Sequence, residues 1–428
     1  MNVRRSAAAL AASAVLCVGA APAALAAPSP STPPAPVIPS GLYGKKDPTY
    51  DGVWRQSFAL LAQNTVGVQP AKEAVDWLAG QQCANGGFAS FRADAATACD
   101  DKTMFDTNAT AMAVQALKAT GGRDAVVKKA VDWLKSVQNE DGGWAFVPGT
   151  PSEGNSTSIV ISALAVAGEK PAEVKSKAGK SAYEGLLAFR LGCAAEPAAD
   201  RGAFGYQPAP DGKLPADADA TAAAVLAGLG QGSVVSPSST DTPAAAPACP
   251  AGAADPAGAA DPAGAADPAG AAQGAAGYLA ETLKKDGHLT AVTPGADQPT
   301  ADTGNTADAV IALAAAGHKQ SAAGALEWLK TNSAEWAKDS PAALATLVLA
   351  AHATGTDPKS FGGTDLVTAL NATGPAPQTS ATAEPKPNAS DAKDGGDDSN
   401  VWWIVGAGLA AGMGIGVLLS GRRKKNQL

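Results

Sequence analysis

The stretch "WLKSVQNEDGGWAF", Trp133 to Phe146, has a near copy upstream in "WLAGQQCANGGF", and this internal repeat limits the fold more than any other feature. Trp77, Gln82, Gly86, Gly87 and Phe88 match Trp133, Gln138, Gly142, Gly143 and Trp144 position for position. "ALEWLK" places Trp328 in the same context as "AVDWLA" and "AVDWLK". Repeated units stack on their own copies, because one unit alone cannot bury its apolar face. The paired glycines permit a backbone turn that other residues resist, so the pattern reads as a loop from one helix to the next.

Helical periodicity between such turns starts near Val53, Pro70, Asp106, Arg123, Asn155, Pro171, Asp217, Gln273, Asn305, Lys319, Ser340 and Gly363. Every second segment is small and apolar nearly all round, as in "TNATAMAVQAL", "STSIVISALAVAG", "DATAAAVLAGLG" and "NTADAVIALAAAG". Such helices are buried on all sides. Their partners, such as "DAVVKKAVDWLKSVQ", carry a charged face and belong outside. Six inner and six outer helices in alternation predict an all-α (α/α)6 toroid over residues 50–371. The low-complexity stretch 236–272, with "AGAADP" three times in succession, reads as an insertion unable to pack a core.

The flanks read differently. Arg4 and Arg5, the apolar run after them and Ala24-Leu25-Ala26 predict a secretory signal peptide over residues 1–26. A Pro/Ser-rich linker follows at 27–49, and a polar stalk occupies 372–400. Residues 401–420, with the uncharged run Val401 to Leu419, are long enough to cross a bilayer, and Trp402 and Trp403 suit its interface. The basic tail 421–428 stays in the cytoplasm, which puts the toroid outside the cell, anchored to its membrane.

A net charge of −8 without a basic stripe excludes nucleic acid as a partner. Four cysteines remain beyond Cys17, an even number for an oxidising compartment, and the expected pairs are Cys83–Cys99 and Cys193–Cys249. Of the three histidines, none lies near a cysteine in the sequence, so no metal site and no cofactor are expected.

The two Gln-x-x-[Asp/Asn]-Gly-Gly-[Trp/Phe] loops resemble the QW repeats of the terpenoid-cyclase and protein-prenyltransferase α/α-toroid superfamily. That resemblance implies that each glutamine ties helix ends together. It also offers three chemistries. The prenyltransferase zinc site finds no counterpart, since His288, His318 and His352 sit outside any matching motif. The Cys-Gly-Glu-Gln of thioester domains is missing. The acid motif of squalene-type cyclases, Asp-x-Asp-Asp-Thr-Ala, resembles "DADATA" at Asp217 to Ala222, with Ala220 in place of the last aspartate.

Aligning the inner segments on Gly121, Gly168, Gly230 and Gly317 puts Asp219 level with Thr110, Thr157 and Thr306, and Asp217 level with Asn108 and Asn155. Those are ordinary helix-capping residue types, so Asp217 and Asp219 are expected to cap, with weak claims to catalysis. Asp302 shares that claim in a glycan-cleaving reading. At 5% aromatic, with few rings on the inner segments, the chain is poor in the faces that would steady a carbocation.

The expectation is therefore a non-catalytic protein that binds a small ligand or an envelope partner protein at the toroid mouth. Asn108, Thr110, Asn155, Thr157, Asp217, Asp219, Asn305 and Thr306 would supply polar groups there, and Phe88, Trp144 and Tyr206 apolar walls. Within the superfamily this resembles the cobalamin carriers, which implies a corrinoid ligand, held with a partner protein in place of a second β domain. The alternative is a diverged cyclase-like or prenyltransferase-like enzyme.

Overall fold

A computed structural model of the chain describes residues 37–247, 249, 267–291 and 298–379. The first half of the described chain runs through α1 (Gly52–Thr65), α2 (Lys72–Gly80), α3 (Thr107–Thr120), α4 (Asp124–Ser136), α5 (Gly154–Ala167) and α6 (Ala182–Leu187). It continues through α7 (Ala218–Gly228), α8 (Pro268–Asp286), a hairpin of β1 (Leu289–Ala291) and β2 (Thr300–Asp302), and α9 (Thr303–Ala315). Last come α10 (Lys319–Asn332), the short α11 (Ala334–Ala337), α12 (Pro341–Thr354) and α13 (Leu366–Asn371). Helices α1, α3, α5, α7, α9 and α12 each pack on the next, and α12 returns to α1 to close a ring. Helices α2, α4, α6, α8, α10 and α13 pack around its outside. This is the double ring expected from the alternation.

Side-chain size decides which helix goes where. In α12 every residue from Ala343 to Ala351 is buried, whereas α4 buries only Val127, Ala130, Val131, Trp133 and Leu134. A helix buried all round must be apolar all round, and one with a single stripe lies on the surface. The inner helices begin in register. Asp106, Asp217, Asp302 and Ser340 each accept a hydrogen bond from the backbone N–H three residues on, which satisfies a donor of the first turn.

The boundaries differ from the sequence reading in four places. Helix α6 starts at Ala182 instead of near Pro171, because Ser181 and Glu184 form a reciprocal capping box there. Helix α8 starts at Pro268, inside the stretch read as an unpackable insertion, and buries Ala271 and Ala272. The chain leading into that stretch is ordered, and so is the beginning of the stretch itself. Gly232 lies against Val166 and Gln115, Val235 is buried, and Pro237 approaches Gly355. Thr242 N–H then donates to Gly317 O, and His318 bonds Thr242 O and Gln273 Oε1, both at 2.7 Å. Cys249 ends this strap in a disulfide to Cys193.

At the flanks the toroid is longer than 50–371. Tyr43, in the stretch read as linker, is fully buried; its hydroxyl donates to Gln63 Oε1 at 3.0 Å, and Gln56 holds its N–H. In the stretch read as stalk, Gln378 donates to Pro70 O at 2.8 Å. The expected signal peptide, membrane span and basic tail lie outside the described residues. Among the described residues no helix is long and apolar enough to cross a membrane.

Candidate functional site

The glycine loops are scaffolding. Gly86 and Gly142 have φ of +100° and +91°, and a Cβ at either would meet a backbone oxygen, of Lys129 at 2.2 Å and of Ser181 at 2.4 Å. Gln82 Nε2 donates to Gly86 O and across to Val126 O, and Gln138 Nε2 donates to Gly142 O. The first loop thus ties its own turn to the start of the next outer helix, as the resemblance implies, while Gln138 closes only its own turn.

A threonine four residues after the cap then pins each loop to its inner helix. The hydroxyls of Thr110, Thr157, Thr221 and Thr306 accept the backbone N–H of Phe88, Trp144, Phe204 and Leu289 at 2.9–3.0 Å. All four threonines are fully buried. This corrects the ligand-binding reading of Thr110, Thr157 and Thr306: their hydroxyls hold backbone. Phe88 and Trp144 are corrected too, since both are fully buried in the core and Trp144 Nε1 donates to Leu134 O at 2.7 Å. Asn305 spends its amide on Asp302 Oδ2 at 2.8 Å, and Asp302 and Asp217 are caps.

The threonine register also corrects Asp219. Thr221, not Asp219, is the counterpart of Thr110, Thr157 and Thr306. Counted from the caps instead of the terminal glycines, Asp219 is level with Asn108 and Asn155. The glycine alignment slips by two residues because α7 has 11 residues where α3 and α5 have 14, and the one extra residue between Gly228 and Gly230 makes up only part of the difference.

What those positions share is a cavity of about 370 Å³ inside the inner ring. Tyr50, Phe146, Asp106, Asn108 and Asn155 surround its mouth at the N-terminal ends of the inner helices. Trp54, Phe58, Met112, Ile159, Leu226 and Ile311 line it further in, and Gln115 and Ser233 lie at its base, joined by a 2.9 Å bond from Ser233 N–H to Gln115 Oε1. Asp219 and Asp308 face it from the adjacent helices α7 and α9. Tyr206 stands apart from this lining, half-exposed, with its hydroxyl pushed up to about 12 by burial and then by the nearby Glu153.

The two inward carboxyls are the unusual groups. Asp219 accepts a hydrogen bond from Asn155 Nδ2 at 2.8 Å. Burial, then the charges of Asp217 and Asp302, push it up to about 7. Asp308 is pushed up to about 8 by burial and then by Asp219 and Asp302. Burial disfavours a carboxylate, and a like charge nearby adds to this, so near neutral pH Asp308 is mostly protonated and Asp219 holds its proton part of the time. Asn108 Oδ1 is buried without a hydrogen-bond partner. Sequence reasoning missed Asp308, Trp54, Phe58, Tyr50 and Phe146. The signal for Asp308 was present: it is the sole charge within the apolar run "ADAVIALAAAG".

A family model for the prenyltransferase alpha-alpha toroid domain matches residues 53–189. Among solved structures, an ent-copalyl diphosphate synthase from Streptomyces platensis is similar, with 16% sequence identity and a TM-score of 0.45 over 71% of this chain and 50% of that one. The chain therefore spans half the length of that protein. No curated protein matches by sequence. The resemblance to the α/α-toroid superfamily read from the glutamine–glycine loops thus holds: residues 53–189 carry its domain match, and the closed double ring of helices carries the toroid architecture through the rest of the described chain.

Proposed function

We propose that the protein is a ligand-binding toroid, exported and anchored to the membrane, that holds a small, mostly apolar molecule inside its inner ring. The observation that carries this reading is the cavity itself: about 370 Å³, walled by aromatic and aliphatic side chains with a few polar groups, the usual make-up of a small-molecule site. Its volume suits a compact ligand, so a corrinoid would have to lie across the mouth, beside Tyr50 and Phe146. The disulfides Cys83–Cys99 and Cys193–Cys249 favour an oxidising compartment.

A cyclase-type enzyme is the second reading, favoured by the position of Asp219 in "DADATA" and by the rings of Trp54, Phe58, Tyr50 and Phe146 in the cavity wall, more than composition suggested. Acidity weighs against it. Donating a proton to an alkene requires a strengthened acid, whereas Asp219 at about 7 and Asp308 at about 8 are weakened ones. Among the described residues no cationic side chain lines the cavity to reverse that shift.

The test uses the neutral apolar fluorophore N-phenyl-1-naphthylamine. It should bind the protein with enhanced emission, and Ala223→Phe, which fills the cavity, should abolish binding while the circular dichroism stays helical. Binding unaffected by Ala223→Phe would refute the cavity as the site. A cyclised product from squalene or a prenyl diphosphate, lost in Asp219→Asn, would establish the enzymatic reading instead.

A further inference from the structure

Building on the ligand-binding reading, we propose that the cavity is selective for an organic cation, an apolar body carrying an ammonium group, with Asp219 and Asp308 as its counter-charges and the rings of Trp54 and Phe58 as its walls. The charge inventory of the lining leads there. Among the described residues every ionisable acid–base group on it, apart from the Tyr50 phenol, is a carboxyl, and none is a lysine, arginine or histidine. Two of the four carboxyls are already committed. Asp51 pairs with Arg55 at 3.1 Å, and Asp106 caps α3 while accepting from Ser90 Oγ at 2.8 Å. Asp219 has one neutral partner, Asn155, and Asp308 has no hydrogen bond among the described residues.

Charge outside the wall does not compensate them. The neighbouring groups at the starts of α7 and α9 are the capping carboxylates Asp217 and Asp302, and beside Asp219 lies the phenol of Tyr206. Arg55 is turned away, bonding Asp51, Asp47 O and Lys46 O. An anionic ligand would meet only like charge. A neutral one would leave the carboxyls where burial has put them, with no partner for a negative charge. A cation supplies the favourable charge that both lack, and each carboxyl can give up its proton to solvent as the cation enters.

The aromatic faces act in the same direction. Trp54 and Phe58 lie one turn apart on α1 with ring centroids 5.1 Å apart, and Phe146 and Tyr50 stand at the mouth. Ring faces attract alkylammonium groups, most strongly where water is excluded. They would not hold a hydrated metal ion, which wants a shell of oxygen ligands.

Titration calorimetry of the full chain would compare benzyltrimethylammonium with neopentylbenzene, which has the same shape and no charge, and with benzenesulfonate. The cation should bind at least tenfold more tightly than its neutral counterpart, and benzenesulfonate should not bind. The cation's binding heat should vary with buffer ionisation enthalpy as protons are released. In Asp219→Asn/Asp308→Asn the preference should vanish while neopentylbenzene and the fluorophore still bind, which shows the cavity is intact. Equal affinity of cation and neutral probe, a preference for the anion, or an unchanged preference in the double variant would overturn the proposal and leave the ligand-binding reading standing. Competition by Mg²⁺ alone at similar concentration would overturn it in favour of a metal site. If no probe binds, the fluorophore included, both readings fall.

Discussion

Replacing Asp219 by asparagine should stabilise the protein, and only above a definite pH. The folded state raises this carboxyl from 3.8 to about 7, so the native protein holds a proton that the unfolded chain has released. Stability from this group is present in full below pH 4, falls as pH rises, and is lost once pH passes about 7. At about 1.4 kcal/mol per pH unit, ionising Asp219 in its buried setting costs the native state about 4 kcal/mol by pH 8. Asparagine has nearly the same shape, keeps an oxygen for Asn155 Nδ2 and never ionises.

Urea denaturation of wild type and Asp219→Asn at pH 4, 6 and 8 measures the difference. The two should agree to within about 0.5 kcal/mol at pH 4 and diverge steadily above it, with the variant the more stable. The variant should also lower the carboxyl pKa of Asp308, since Asp219 is one of the charges that raise it. A constant offset at all three pH values, or an asparagine variant less stable at pH 8, would refute the reasoning.

Thr157→Val keeps the side-chain shape but leaves the N–H of Trp144 unpaired in the core; it should cost about 1–3 kcal/mol in thermal denaturation, while Thr157→Ser costs less. Gly142→Ala should destabilise far more than Gly149→Ala, although both have φ near +90°, because only Gly142 also meets Ser181 O; equal losses of Tm would show that the contact relaxes freely. Serine at both Cys193 and Cys249 opens a loop with a sequence separation of 56 and should cost about 4 kcal/mol by chain entropy, against about 3 kcal/mol for Cys83 and Cys99. Oxidised and reduced melting curves of each variant check the order.

The architecture was legible because it depends on averages. A helix such as α12, apolar on every side, has one stable location, and two glycine loops fix the repeat length. Individual functions were less legible because they depend on single registers. Thr110 and Thr157 look like polar residues available at a mouth until the backbone N–H of Phe88 and Trp144 are seen to occupy them. Counting back from the terminal glycine makes Asp219 their equivalent, because α7 is three residues shorter than α3 and α5. The strap after α7 was misread for another reason. Its Ala- and Pro-rich composition offers no apolar periodicity, yet small residues are what let backbone lie directly on α8, where Gly277 meets Ala245 O.

That strap changes what kind of container the ring makes. Six helices closed on themselves form a tube, open at either end, through which a molecule could pass. By crossing the C-terminal ends of α3, α5, α9 and α12 and setting Ser233 into the floor, residues 231–247 stop one end. The result is a cup, not a conduit. Whatever enters between Tyr50 and Phe146 must leave the same way, so loading and unloading share a single doorway and the occupant's residence time is set there.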